Sequence, residues 1–139
     1  MVPAKRYFSV SSANDTLVLV KRIVADVLRY SVRLSEILEF LEAAEKARET
    51  DRVLQLGIFF SAAAGRLRAC LGELDEIGVV MIDSAKGIVE FPCIADGTEV
   101  RLCWRHGEQR VSGWYEVGDS YALLRPIESL PAELEPVTV

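Results

Sequence analysis

Two long stretches of this chain place a small or apolar residue at alternating intervals of three and four without a break. One runs Leu17, Val20, Val24, Val27, Ser31, Leu34, Leu38, Leu41; the other runs Val53, Leu56, Phe60, Ala63, Leu67, Cys70, Leu74, Ile77. That alternation is the seam of a coiled-coil-like helix pair. Only about Ala47 to Asp51 separates the two runs, so the chain must turn back on itself as an antiparallel hairpin. The first helix is expected from about Ser11 to about Glu49, a reach on the order of 50 Å, with no glycine or proline inside it. Ser9 is its expected N-cap, with Ser12 standing where a capping box would carry Glu. Thr50 and Asp51 are placed to cap the second helix, and Gly78 to end it.

The charges bear on the pairing. Helix one carries Lys21, Arg22, Arg29 and Arg33 early and Glu36, Glu39, Glu42 and Glu45 late, against its own macrodipole. An antiparallel partner is expected to bring Glu73, Asp75 and Glu76 beside the basic start, and Arg66 and Arg68 near the acidic stretch. Helix two also carries a stripe of small residues, Gly57, Ser61, Gly65, Ala69 and Gly72. A glycine inside a helix costs about 1 kcal/mol against alanine, so three in one helix imply close approach of another helix. Ile58, Phe59 and Ala62 add apolar surface off the seam, more than a two-helix hairpin can bury. A homodimer through helix two is therefore expected, with Gly57, Phe59, Ser61, Gly65 and Gly72 in its interface.

After Gly78 the apolar period falls to two. Val79 to Asp83, Ile88 to Cys93, Glu99 to Arg105, Arg110 to Glu116 and Tyr121 to Arg125 read as short strands joined by turns. Asp96-Gly97 is a two-residue hairpin signal; it sets Cys93 opposite Val100, Phe91 opposite Leu102 and Val89 opposite Trp104. A turn at Gly107-Glu108 would put Val111 opposite Trp104 and Gly113 opposite Leu102, and one at Gly118-Asp119 would put Leu124 opposite Gly113. The expected fold class is thus α+β: a long antiparallel helical hairpin (9–78), a small antiparallel β-meander (79–125) and an extended tail (126–139), in a single domain of 139 residues.

The same register builds a polar sheet face. Glu90, Cys103, Ser112 and Arg125 form one row, and Arg101 lies opposite Trp114. With Arg105 nearby, this face is the candidate binding site for a small anionic ligand, held by forked guanidinium hydrogen bonds with Trp114 as a stacking wall.

Several motifs occur in a telling order: Tyr7-Phe8-Ser9 with Ala13-Asn14, Gly87-Ile88-Val89-Glu90-Phe91-Pro92, Leu102-Cys103-Trp104-Arg105-His106-Gly107-Glu108, Trp114, and Arg125-Pro126-Ile127. Together they resemble the uncharacterised prokaryotic family named Domain of Unknown Function family 2203, over nearly the whole chain. The Cys103 to Glu108 block is the most specific part. The resemblance implies a helical hairpin with a small sheet and brings no established activity. Members usually carry His after the second Trp, where this chain has Tyr115, and a Gly-rich segment before Arg-Pro, where it has Ala122-Leu123-Leu124.

Composition narrows the function classes. Sixteen Lys and Arg stand against 21 Asp and Glu, for a net charge of −5 and a pI near 5.0; nucleic acid and anionic membranes, which need a basic face, are not expected partners. The longest uncharged run in the helical half, Gln55 to Gly65, is too short to span a bilayer, and Met1 to Phe8 lacks the apolar core of a signal peptide. Three cysteines without paired spacing fit a reduced, cytoplasmic protein. One His and no CxxC leave no zinc framework, and no Gly-rich phosphate loop precedes a helix. No cofactor or metal is expected. Cys103 between Arg101 and Arg105 has the makings of a lowered pKa, but His106 points off the turn and supplies no base. Two classes stand: an oligomeric interaction or scaffold protein built on the hairpin, and, as the alternative, a small anionic ligand-binding protein or enzyme using the polar sheet face.

Overall fold

In the computed structural model, residues 6–132 are described. Residues 1–5 and 133–139, the latter being the second half of the expected tail, lie outside the described residues. Helix α1 spans Val10–Lys46 and helix α2 spans Thr50–Ile77, antiparallel to it. Ser9 caps α1, and Ser12 completes the capping box: each hydroxyl accepts the other residue's backbone amide, at 3.0 and 2.9 Å. A serine therefore does what the usual glutamate would. The reversal is tight. Arg48 takes a left-handed conformation (φ 56°), and the Glu49 amide donates to the Ala44 carbonyl at 3.0 Å. Glu49, not Thr50 or Asp51, is the N-cap of α2, and no side chain caps that end. Gly78 closes α2 in the left-handed region at φ 94°, where a side chain would be strained.

The inward face of α1 follows the expected seam through Leu17, Val20, Val24 and Val27, all buried. It then departs. Ile37 and Ala44 are buried, whereas Leu38 is exposed. Toward the tip the inward positions are Leu34, Ile37, Leu41 and Ala44, with Leu34 and Leu41 half-buried. The expected charge pairing of Arg66 with the acidic stretch of α1 is not what forms. Among the described residues no ion pair joins α1 to α2; the helical pairs are local, Arg29–Asp26 and Arg52–Glu49. Arg66 reaches Tyr30 beside Arg29, within the basic half of α1 and not the acidic one.

A five-stranded antiparallel meander follows, in chain order: β1 Val80–Asp83, β2 Ile88–Ala95, β3 Thr98–Arg105, β4 Gly113–Glu116 and β5 Arg125–Pro126. Between β2 and β3 the register is the expected one, with Val89 opposite Trp104, Phe91 opposite Leu102 and Cys93 opposite Val100, around an Asp96-Gly97 turn with both residues at positive φ. Their inward side chains are buried with Phe8 and the α1 residues Ala13 to Val27 in one core, closed from α2 by Cys70 and Leu74. Burying a side chain of this size contributes about 1.5–3 kcal/mol.

The β3–β4 register is one residue out from expectation: Trp114 lies opposite Leu102, and Gly113 opposite Cys103. The turn is centred on His106-Gly107 (Gly107 φ 102°), closed by the Glu108 amide donating to the Arg105 carbonyl at 3.0 Å. Residues 108–112 then leave the sheet before the chain rejoins β3, and the phase slips. Trp114 consequently faces the core and Tyr115 takes the outer position opposite Arg101. The expected last strand is instead a 3₁₀ turn, Tyr121–Leu123, and a two-residue β5 pairing Arg125 with Trp114 and Pro126 with Gly113. Residues after Pro126 are not simply extended: Ile127 and Leu130 pack on the core through a second 3₁₀ turn, and the Asp96 amide donates to the Ala132 carbonyl at 2.7 Å.

Candidate functional site

The outer face of the sheet gathers three of the seven expected ligand residues. Glu90 on β2 lies opposite Cys103 on β3, and Arg101 sits two positions before Cys103 on the same strand face. The Tyr115 hydroxyl donates to the Glu90 carboxylate. Arg101 lies 3.7 Å from the Glu90 carboxylate and 3.0 Å from that of Glu99, while the Tyr7 hydroxyl donates to Glu99 at 2.7 Å. The result is a continuous polar chain, Tyr7–Glu99–Arg101–Glu90–Tyr115, with Cys103 beneath it. Tyr7, Glu99 and Tyr115 were not among the expected residues. A one-residue correction to the β3–β4 register would have brought Tyr115 in.

The chemistry of this cluster is that of a closed network. Burial, then the nearby Glu90 charge, pushes the Cys103 thiol up from 9.0 to about 12, so it stays protonated and is no nucleophile at neutral pH. Burial and the hydrogen bond to Glu90 likewise raise the Tyr115 phenol well above its ordinary value. Arg101 is neutralised by two carboxylates, so an incoming anion would have to displace them.

The other four expected residues are elsewhere. Trp114 is buried on the core side, where its indole N–H donates to the Ser129 hydroxyl at 3.1 Å. Arg125 lies over the Trp114 ring, 4.8 Å from its centre, and 3.7 Å from Glu116. Ser112 and Arg105 belong to the 105–112 loop and are exposed. The Glu108 carboxylate organises that loop, accepting the Arg105 amide on one oxygen at 2.8 Å and the Ser112 hydroxyl on the other at 2.7 Å. The Trp104 indole N–H donates to the Glu108 carbonyl at 2.8 Å. Helix α1 holds the loop from outside: the Val111 amide donates to Asn14 Oδ1 at 2.8 Å and Lys21 donates to the Gln109 carbonyl at 2.9 Å. Among the described residues, no three His, Cys, Asp or Glu side chains are grouped to hold a metal ion.

A protein-family model described as "Uncharacterized conserved protein (DUF2203)" matches residues 6–127. The chain belongs to the DUF2203 family. Comparison with curated proteins and with solved structures finds no match. In this DUF2203 chain the motifs carrying the resemblance do structural work. Phe8 stacks edge-on against Phe91 at 5.2 Å, Ser9 caps α1, and Asn14 anchors the 105–112 loop. Gly87, at φ 70°, is held between the His106 turn and α1, where an added Cβ would lie 2.7 Å from His106 Cβ and 3.1 Å from Val24. The Cys103–Glu108 block and the Arg125-Pro126-Ile127 segment meet at Ser112, whose carbonyl accepts the Ile127 amide at 3.0 Å.

The expected dimer residues divide into two groups. With 3.6 residues per turn, Leu54, Ile58, Ser61, Gly65, Ala69 and Gly72 fall within about 80° of arc on the side of α2 turned away from α1, and Gly57 lies at their margin. Leu54 is 64% exposed and Ile58 70%. An added Cβ at Gly57, Gly65 or Gly72 meets nothing within 4 Å. Phe59 instead lines a cleft on the flank where the two helices meet. No helix among the described residues is long and apolar enough to cross a membrane.

Proposed function

We propose that this DUF2203 protein is an oligomeric interaction module whose working surface is the outward face of α2, covered by a second copy of the same chain. One observation carries the reading: the arc of Leu54, Ile58, Ser61, Gly65, Ala69 and Gly72 holds no charged residue, yet faces solvent, with Arg68 flanking it about 20° beyond its edge. In a helix of 28 residues only Ala63, Cys70 and Leu74 are buried, so the hairpin supplies α2 with one narrow contact and leaves the rest uncovered. The large and small residues are segregated along the face. Leu54 and Ile58 occupy one end, and Gly65, Ala69 and Gly72 the other.

Two such faces packed antiparallel about Ser61 and Ala62 set Ile58 of each copy over Gly65 of the other, and Leu54 over Ala69. A surface complementary to itself under a twofold rotation is what an isologous dimer requires. Two hairpins joined in this way make a coiled-coil-like four-helix assembly. Three buried cysteines, none with the spacing of a paired framework, support a reducing, cytoplasmic setting. A small anionic ligand on the outer sheet face is less well supported, because Arg101 already meets two carboxylates and Arg125 lies over Trp114.

Sedimentation velocity on Ile58→Glu tests the reading. A buried, unpaired carboxylate where Ile58 seats over Gly65 is expected to leave monomer with unchanged helical circular dichroism. A wild type that sediments as monomer, or an Ile58→Glu dimer as tight as the wild type's, would overturn it.

A further inference from the structure

The cleft beside Phe59 has a composition that hairpin packing does not require. Its volume is about 410 Å³, and Arg29, Tyr30 and Arg33 of α1 face Phe59, Ala63 and Arg66 of α2 across it. Three arginines therefore line one cleft, where the sequence pattern had set Arg66 near the acidic stretch of α1. Asp26 takes up one of them, 3.0 Å from Arg29. Among the described residues Arg33 and Arg66 have no carboxylate partner.

The donors are also unspent. Arg29 and Arg66 each approach the Tyr30 hydroxyl, but at 3.5 Å, the long limit of a hydrogen bond. Each of these contacts uses one nitrogen of a guanidinium that carries five N–H donors. The hydrogen bonds from Arg66 first and Arg29 second lower the Tyr30 phenol from its ordinary value, the direction that neighbouring positive charge also gives. Like charges held this close repel one another, and repulsion of this kind is relieved when an anion bridges them.

We propose that this cleft is a binding site for a dianionic tetrahedral oxyanion, free phosphate or the phosphate of a monoester. Arg33 and Arg66 supply forked, charge-assisted donors from the two helices, and Tyr30 supplies a hydroxyl donor between them. Arg29, partly spent on Asp26, adds field more than contact. Phe59 and Ala63 form an apolar floor, which gives the organic part of a monoester a place to lie. The cleft lies on the flank of α2 next to the uncharged face, and the two surfaces adjoin at Ala62, which lines the cleft. The site lies apart from the outer face of the sheet, where the arginines are already paired.

The test is an NMR titration of the full chain with inorganic phosphate and, separately, with phenyl phosphate, at ionic strength matched with chloride. Saturable shifts are expected at the amides of Arg29 to Arg33 and Ala62 to Arg66 and in the Tyr30 ring. Arg66→Ala and Arg33→Ala should each weaken binding at least about tenfold, the order expected when a charged hydrogen-bond partner is lost. Arg52→Ala, near the tip, should leave it unchanged. Tighter binding of phenyl phosphate identifies a monoester seated on Phe59, and equal binding identifies free phosphate. Absence of saturable shifts with both anions, or equal weakening by Arg52→Ala, would overturn the proposal. Since both variants change exposed side chains, their one-dimensional spectra serve as the check that the fold is intact.

Discussion

Asn14 and Val111, 97 positions apart, are joined by one 2.8 Å hydrogen bond in which the Val111 amide donates to the Asn14 carboxamide oxygen. It is the point at which the first turns of α1 hold the loop that follows β3. Asn14→Ala strands the Val111 amide without a partner and should cost about 1–3 kcal/mol. Asn14→Asp retains an acceptor and should cost clearly less. Urea denaturation of the two variants checks the difference; equal losses would assign the effect to packing alone.

The Cys103–Tyr115–Glu90 cluster makes stability fall in alkali. Cys103 titrates at about 12 in the folded protein against 9.0 ordinarily, and Tyr115 is raised as well. Between those values the unfolded chain has released a proton that the folded chain still holds, so unfolding is favoured as pH rises. The stabilisation is complete below pH 9.0 and declines from there toward about 12. Denaturation midpoints should be flat on this account below that onset and fall above it, and Cys103→Ala should make the fall shallower. Parallel profiles for wild type and variant would contradict the assignment. In the native state none of the three buried thiols should react readily with a disulfide reagent.

Gly113 leaves room for Leu124. A Cβ added there would lie 2.6 Å from Leu124 Cγ, so Gly113→Ala must push that side chain off the sheet and should cost about 1–3 kcal/mol. Leu124→Ala removes the obstacle. The two changes are expected to be non-additive, with Gly113→Ala costing much less in the Leu124→Ala background. Additive losses in thermal or urea denaturation would show that Leu124 is not what opposes a side chain at position 113.

The parts of the fold that could be read from sequence are those fixed by local periodicity and by a turn of one possible length. The α1–α2 hairpin follows from its apolar spacing, and the β2–β3 register from Asp96-Gly97, both at positive φ. The β3–β4 register could not be read in this way. The Arg105–Glu108 turn is followed by residues held by Asn14 and Lys21, partners far away in sequence, and their path decides the phase in which Gly113 rejoins the sheet. That single slip turned Trp114 inward and brought Tyr115 to Glu90, so half of the expected polar row dissolved while Glu90, Arg101 and Cys103 stayed together. The arginine cleft escaped notice for a similar reason: only the residue level at which the helices cross places Arg66 beside Tyr30 and not beside Glu36 or Glu39.

Gly65 gives opposite signs for a free and a covered helix face. Within one chain an added Cβ there meets nothing within 4 Å, so on a bare surface Gly65→Ala should stabilise α2 by up to about 1 kcal/mol through helix propensity. Under a second copy, Gly65→Leu overpacks the place where Ile58 seats and should weaken association by about 1–3 kcal/mol. The most direct measurement is the molar mass of the wild type by light scattering from about 1 to 100 µM, the range over which a micromolar dimer dissociates. The account predicts a mass rising to twice the chain's 15.4 kDa, with Gly65→Leu shifting the rise to higher concentration. A constant 15.4 kDa at every concentration would contradict it.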